Sequence, residues 1–327
     1  MHDIYFEHNY GKLYEQIEKG IALVFNYKSD YGEIKHLFIK RKIPMANNGE
    51  VYYDLITPYG YGGPVIINYK TGNKQELLEG FHKKFKEYCL QNNIVSEFVR
   101  FHPIISNHKD FKNIYNPIYV RNTVATKVEP DEDPFEKEFS KSARKTIRRA
   151  FREGVTYKIT KSPNDIKSFL EIYYSTMNRK EASDYYYFDP NYFEKCLKYF
   201  KENVLLIEVI YDNKTVAMAF YFVYNKVIHA HLSGTLTEYL NLSPAYIIKY
   251  ATAEWAKDNN IKLIHYGGGV SNSSDDSLYK FKKKFTRETE YKFYVAKKVW
   301  NEKVYKELSA NMENRGNVDF FPAYRYE

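Results

Sequence analysis

The sequence predicts an α+β protein of two domains, each a mixed sheet flanked by helices. Three observations carry that expectation. Short segments rich in β-branched and aromatic residues, bounded by Gly, Asp and Asn, alternate with stretches of helical apolar periodicity. The order of elements in the second half repeats more loosely in the first. The acidic, proline-bearing segment EPDEDPFEKE (129–138) carries no apolar periodicity before Phe135 and marks a junction. The expected domains are residues 1–130 and 131–327.

In the first half, IALVFNY (21–27), IKHLFIK (34–40) and VYYDLI (51–56) read as strands. From Lys74 to Gln91, Leu77, Leu78, Phe81, Phe85 and Tyr88 recur at helical spacing and predict an amphipathic helix. A strand at 94–101, a polar loop and a strand near 118–128 follow. Beyond the junction, Asp133 and Pro134 supply an N-cap and first helical residue, and Gly154 closes the helix. Its apolar stripe is Phe135, Phe139, Ala143, Ile147 and Ala150. Helices are expected at about 164–180 and 190–201, then strands at 203–211, 215–224 and 226–233. Ser243-Pro244 starts a helix that turns Ile247, Ile248, Ala251 and Trp255 inward. The strand IKLIHY (261–266) runs into Gly267-Gly268-Gly269, and a helix at 276–285 and a strand at 291–297 complete the half.

Composition narrows the class. A chain of 327 residues, 28% charged and 44% hydrophobic, holds two cores and is neither disordered nor fibrous. No apolar run approaches the ~18 residues of a membrane span, and MHDIYFEHNYGK has no signal-peptide core, so a soluble, cytoplasmic protein is expected. Cys89 and Cys196 give neither a disulfide framework nor a zinc spacing. The 34 tyrosines fit both the codon usage of an AT-rich genome and a groove for a polar ligand.

Several constellations bear on chemistry. Lys141, Arg144, Lys145, Arg148, Arg149 and Arg152 share one face of the predicted helix with no acid among them. Such a face suits a polyanion (an RNA backbone, a diphosphate or an anionic membrane surface) and equally a solvated surface favoured near a helix C-terminus. In LYKFKKKFTR, which holds Lys280, Lys282, Lys283, Lys284 and Arg287, Leu278, Phe281 and Phe285 anchor a helix whose lysines fan over two faces, one toward a site or all into solvent. Two glycine loops, Pro58-Tyr59-Gly60-Tyr61-Gly62-Gly63-Pro64 and Gly267-Gly268-Gly269, would let a ligand approach main-chain N–H groups, or simply turn the chain. Neither matches a Walker A or dinucleotide fingerprint. His229 and His231 share one side of a strand without a carboxylate or cysteine at ligand spacing, so a core or rim pair is expected and no metal.

Three segments together resemble the Fem-type aminoacyltransferases and their GNAT-like relatives: KSARKTIRRAFREGV (141–155), SPAYIIKYATAEWAKDNNIKLIHYGGG (243–269), and DDSLYKFKKKF (275–285) with WNEKVYKEL (300–308). In the first half the resemblance rests on strand order, the PYGYGGP loop and VRFHP (99–103). It implies two tandem GNAT-like domains without a coiled-coil arm. It also implies N-acyl transfer, in the best-known members from aminoacyl-tRNA onto a peptidoglycan precursor. Matched by motif, the family's Phe-Lys pair falls on Phe281 and Lys282, the lysine assisting acyl transfer. The family's phosphate-holding arginine falls on Arg179. Tyr59, Tyr61, Gly62, Gly63, Gly267 and Gly268 are the expected substrate-binding positions, and the 141–152 cations the expected tRNA contact. Where some members grip a nucleotide-linked muropeptide with tyrosines, this chain has Asn107 and the Ala230–Ser233 stretch.

The expected function is therefore aminoacyl transfer from aminoacyl-tRNA to an amine of a cell-envelope precursor, with no cofactor beyond the co-substrate. Acylation of a surface-glycan amino sugar from acyl-CoA is the alternative, although TEYLNLSPAY lacks the glycines of a pyrophosphate loop. A non-catalytic RNA- or membrane-surface-binding protein is the reading from another class.

Overall fold

The computed structural model describes residues 2–44, 49–179, 187–273, 275–287, 289–310 and 320–326. In chain order its elements are α1 (His8–Leu13), β1 (Gly20–Ser29), β2 (Gly32–Lys42), β3 (Tyr53–Ile56), β4 (Val65–Tyr69), α2 (Lys74–Gln91), β5 (Ile94–Arg100) and α3 (Lys112–Tyr115). There follow β6 (Ile118–Lys127), α4 (Pro134–Lys137), α5 (Lys141–Arg152), β7 (Thr156–Lys161), α6 (Lys167–Arg179), α7 (Pro190–Phe200), β8 (Val204–Tyr211), β9 (Lys214–Tyr224) and β10 (Val227–Thr235). The last are α8 (Pro244–Asp258), β11 (Leu263–Gly267), α9 (Ser277–Lys283), β12 (Glu290–Val299) and α10 (Glu302–Ser309). Residue 180, at the end of the helix expected at 164–180, lies outside the described residues.

Packing divides the chain into two compact units, Met1–Arg121 with Lys292–Glu327, and Asn122–Tyr291. The expected units 1–130 and 131–327 differ at both ends. Val295–Val299 of β12 pairs antiparallel with Ser96–Arg100 of β5, which returns the C-terminal segment to the first unit.

In the first unit β1, β2 and β3 are antiparallel, β3 and β5 are parallel, and β4 pairs with the start of β2. Leu77, Phe81, Phe85 and Cys89, at i to i+4 steps along α2, are buried in a core shared with Phe38, Leu55, Val99, Phe101 and Trp300. Buried Glu97 accepts from His36, Tyr115 and Trp300, which satisfies its buried oxygens.

In the second unit β7, β8, β9 and β10 form an antiparallel meander, β11 joins β10 in parallel, and β6 closes the far side antiparallel to β11. Side chains alternate along β9: Ala217, Ala219 and Tyr221 join the core under α5 and α8. Phe220 and Phe222 meet Phe169 of α6, Phe193 and Phe200 of α7 on the opposite face. The unit is thus a sheet between two helical layers.

The junction helix differs from expectation. Asp133 caps only the single turn α4, accepting from Phe135 N at 2.9 Å. Ser140 then starts a new helix by accepting from Ala143 N at 3.2 Å, while its own N–H goes to Lys284 O at 2.8 Å. The expected stripe of Phe135, Phe139, Ala143, Ile147 and Ala150 is buried across both pieces. Gly154 closes α5 with φ +91, the left-handed conformation that glycine adopts without a Cβ clash.

Candidate active site

The second unit opens where β10 and β11 part. Their parallel pairing covers only Val227↔Leu263 to His229↔His265, while β10 continues to Thr235. Past β11 the chain enters Gly267-Gly268-Gly269, with Gly267 at φ +74 after a bulge opposite β6. Asp276 holds this loop. Its Oδ2 accepts from Val270 N at 2.9 Å and Ser271 N at 2.7 Å, and its Oδ1 caps α9 by accepting from Tyr279 N at 2.8 Å. These backbone N–H groups, Ser271 and Tyr279 foremost, hold its carboxyl down at about 2. A Cβ at Gly269 would sit 2.3 Å from Asp276 Oδ1, so glycine is required for the loop to close on its acid.

Asp276 thereby fixes where α9 starts and how its lysines point. Lys282 Nζ donates to Gly268 O at 2.6 Å, which joins two of the expected site residues. Phe281 packs edge-on against Tyr246 of α8 at 5.2 Å and Phe285 at 5.0 Å. Lys280 pairs with Asp275 at 2.7 Å, Lys283 with Glu290 at 2.6 Å, and Lys284 donates to Tyr246 Oη at 3.0 Å. The expected anchor Leu278 is exposed; Tyr246 and the two phenylalanines hold the helix instead.

Between α8 and the sheet lies a lysine that periodicity did not single out. Lys249 is buried, its Nζ donates to Tyr221 Oη at 2.8 Å, and it stands 4.3 Å above the Tyr266 ring. Burial, reinforced by the charge of Lys282, lowers its pKa to about 7. A signal did exist in the sequence: Lys249 is the one cation in the otherwise apolar turn SPAYIIKYATA.

Arg179 closes α6 beside the loop after β10, donating to Thr235 O at 2.8 Å and Thr237 Oγ1 at 3.1 Å. Of the α5 cations, Arg144 and Arg148 fold back on Glu136, and Arg149 reaches Asn241 O at 3.0 Å, Ser243 Oγ at 3.3 Å and Glu153 at 3.5 Å. Acids just outside the helix, rather than within it, thus engage half of the face. Lys141, Lys145 and Arg152 are exposed, with no ion pair among the described residues.

The first glycine loop belongs to the other unit and is built into its core. Tyr59 O accepts from Tyr10 Oη at 2.9 Å, and Tyr61 lies edge-on to Tyr5 at 5.2 Å. Gly62 and Gly63 are buried, and the Asn107 amide donates to Gly62 O and Pro64 O, both at 2.8 Å. Asn107 also accepts from His102 N at 2.8 Å, so it clamps this turn. In the second unit, His229 and His231 lie close enough for the charge of His229 to act on His231. A bulge between Ala230 and Leu232 breaks the alternation of β10. His231, hydrogen-bonded to Tyr192 Oη at 2.6 Å, is enclosed and pushed down to about 3.

This geometry is a sheet splayed at one parallel pair, with a glycine loop and a lysine-bearing helix at the splay. It is that of an acyltransferase domain, and residues 137–292 match the model of the acetyltransferase (GNAT) domain. By fold the whole chain is similar to FemX, at 14% identity with a TM-score of 0.65 over 94% of this chain and 98% of that one. It is also similar to the C-terminal domain (DUF2156) of a proposed lysylphosphatidylglycerol synthetase from Agrobacterium fabrum, at 11% identity and a TM-score of 0.57, covering 92% and 90% of the two chains. A third likeness is L-PGS from Bacillus licheniformis, at 13% identity and a TM-score of 0.53, covering 88% and 90%. No curated protein matches the chain by sequence. The chain thus carries a GNAT-type acetyltransferase domain at residues 137–292 and shares the fold of FemX. No described helix is long and apolar enough to cross a membrane.

Proposed function

We propose that this protein transfers an aminoacyl group from aminoacyl-tRNA to an amine of a cell-envelope precursor. The observation that carries the reading is Lys282, held 2.6 Å from Gly268 O at the end of the splayed strand β11. Aminolysis of an ester develops negative charge on the carbonyl oxygen, and a fixed ammonium is a strong donor to it. Arg179 would hold a phosphate of the precursor, in keeping with the family resemblance. Lys141, Lys145 and Arg152 supply an exposed cationic face for tRNA, or for the transient approach of an anionic membrane surface.

The segment that would cradle the pyrophosphate of acyl-CoA favours this donor over CoA. Thr237–Leu242 is a 3-10 turn without glycine, and Arg149 lies across its end on Asn241 O and Ser243 Oγ. The test is incubation with radiolabelled aminoacyl-tRNA mixtures or labelled acetyl-CoA, each with cell-envelope precursors. Label leaving the tRNA and appearing on a precursor amine is the expected result. Label moving only from acetyl-CoA would make the protein an acetyltransferase of surface amino sugars. Retention of tRNA without transfer from either donor would leave the binding-protein reading.

A further inference from the structure

We infer that Lys249 is the proton acceptor of the acyl transfer, acting as the partner of Lys282 across the seam between α8 and α9. The inference rests on the aminoacyl-transfer reading above and deepens it.

Tyr246 and Lys249, three residues apart, share one face of α8. Tyr246 touches Phe281 at 5.2 Å and Phe285 at 5.4 Å, and Lys282 lies between those two residues in the chain. Lys249 stands 4.3 Å over Tyr266, two residues before Gly268, whose carbonyl holds Lys282 Nζ, so both lysines meet the end of β11, and the charge of Lys282 acts on Lys249. Among the described residues, Lys249 meets Tyr221 of β9, Tyr266 of β11 and the charge of Lys282 of α9, while Glu138, which acts on Tyr266, accepts from Thr286 Oγ1 and Arg287 N. The core that holds the two tyrosines also contains Ile207 of β8, Ile228 of β10 and Ile147 of α5. Tyrosines raised by burial stay neutral and cannot balance an ammonium, so Lys249 holds its proton weakly.

The reaction needs such a group. The attacking amine must lose a proton as its nitrogen bonds the ester carbonyl carbon. Other bases nearby are unsuited. Asp276 is spent on three backbone N–H groups. Glu290 accepts from Lys283, Tyr279 and Asn122. His265 precedes Tyr266 in β11, so it faces the other side of the sheet, where it meets Thr123 Oγ1 at 2.9 Å. The amine nitrogen attacks, Lys282 stabilises the oxyanion, and Lys249 Nζ takes the amine proton. The carbon–oxygen ester bond then breaks, and the leaving ribose oxygen receives that proton as the amide forms.

Two measurements test this. Lysine side chains labelled with 13C at Cε, with Lys249 assigned by its loss in Lys249→Met, give its titration midpoint. The expected midpoint is about 7 in the native chain, moving upward in Lys282→Met as like-charge repulsion is removed. A native midpoint near the ordinary ~10.4 of lysine overturns the inference. In single turnover, with labelled aminoacyl-tRNA and a nucleotide-linked muropeptide as probes, the native rate should rise about tenfold per pH unit until it levels near neutrality. Lys249→Met, apolar and of similar volume, should lose that limb and run roughly 10²-fold slower at the plateau. An unchanged profile in Lys249→Met also overturns it. A native chain that transfers no label sinks the aminoacyl-transfer reading, while the lysine pairing still stands or falls on the midpoints.

Discussion

At the scale of single residues, four neighbouring lysines have three kinds of partner, and this makes the assignment of Lys282 testable. Lys280 and Lys283 each meet a carboxylate, and Lys284 meets a tyrosine hydroxyl. Lys282 meets a loop carbonyl at the splay. Lys282→Ala should lower kcat roughly 10²-fold and leave donor affinity near normal, because its interaction strengthens as the oxyanion forms. Lys283→Ala and Lys284→Ala should change kcat much less. Equal small losses in all three variants would mean that the run only attracts anions. Lys249 makes a separate prediction about stability. Its pKa is lowered on folding to about 7, so between that pH and the ordinary lysine value the unfolded chain binds the extra proton. Stability therefore rises with pH across this window, by at most ~1.4 kcal/mol per unit, and the penalty for burying the ammonium is full below it. Denaturant unfolding should show Lys249→Met more stable at neutral pH, with the native chain gaining on it toward pH ~10. Parallel stability curves would show that Lys249 keeps its proton in the fold.

At the scale of elements, α5 carries the clearest revision. Six cations share its face in the sequence, but Glu136 and Glu153 lie just outside the helix and bend Arg144, Arg148 and Arg149 back onto the protein. Under the proposed function, a tRNA contact would fall to Lys141, Lys145 and Arg152. Changing these three to Glu should weaken tRNA binding and flatten its dependence on salt, by a slope of up to ~3 for three lost phosphate contacts. The fold should persist, since the buried stripe is untouched. An unchanged salt slope would return this face to solvent. The same helix shows how far local pattern can be read. Its apolar stripe was legible because burial imposes the period, as it was for α2, α8 and the strands of the meander. The break at Ser140 was not, because a competing N-cap and a bond to Lys284 decide it. Short β4 and β7 carry too few inward residues to show a period: Val65 is the single buried residue of β4, and β7 has none.

At the scale of the whole molecule, the alternation of strand and helix segments and their repeated order sufficed for the fold class. Three things were not legible. The return of Lys292–Glu327 to the first unit depends on pairing between β12 and β5, which are far apart in the chain. The turn Tyr59–Pro64 looks like a ligand loop because glycine serves close packing and ligand approach alike; Asn107 makes it a packed turn here. Lys249 was hidden because a charge within an apolar helix has no meaning until its neighbours are known. The central claim, that this chain carries out aminoacyl transfer at the Lys282 site, meets its most direct test in one assay. Purified protein is given labelled aminoacyl-tRNA and labelled acetyl-CoA with distinguishable isotopes, together with cell-envelope precursors, beside the Lys282→Ala variant. The account predicts that the tRNA label alone moves to a precursor amine and that the variant slows this about 10²-fold. Transfer of the acetyl label alone, or transfer from tRNA undiminished in the variant, would contradict it.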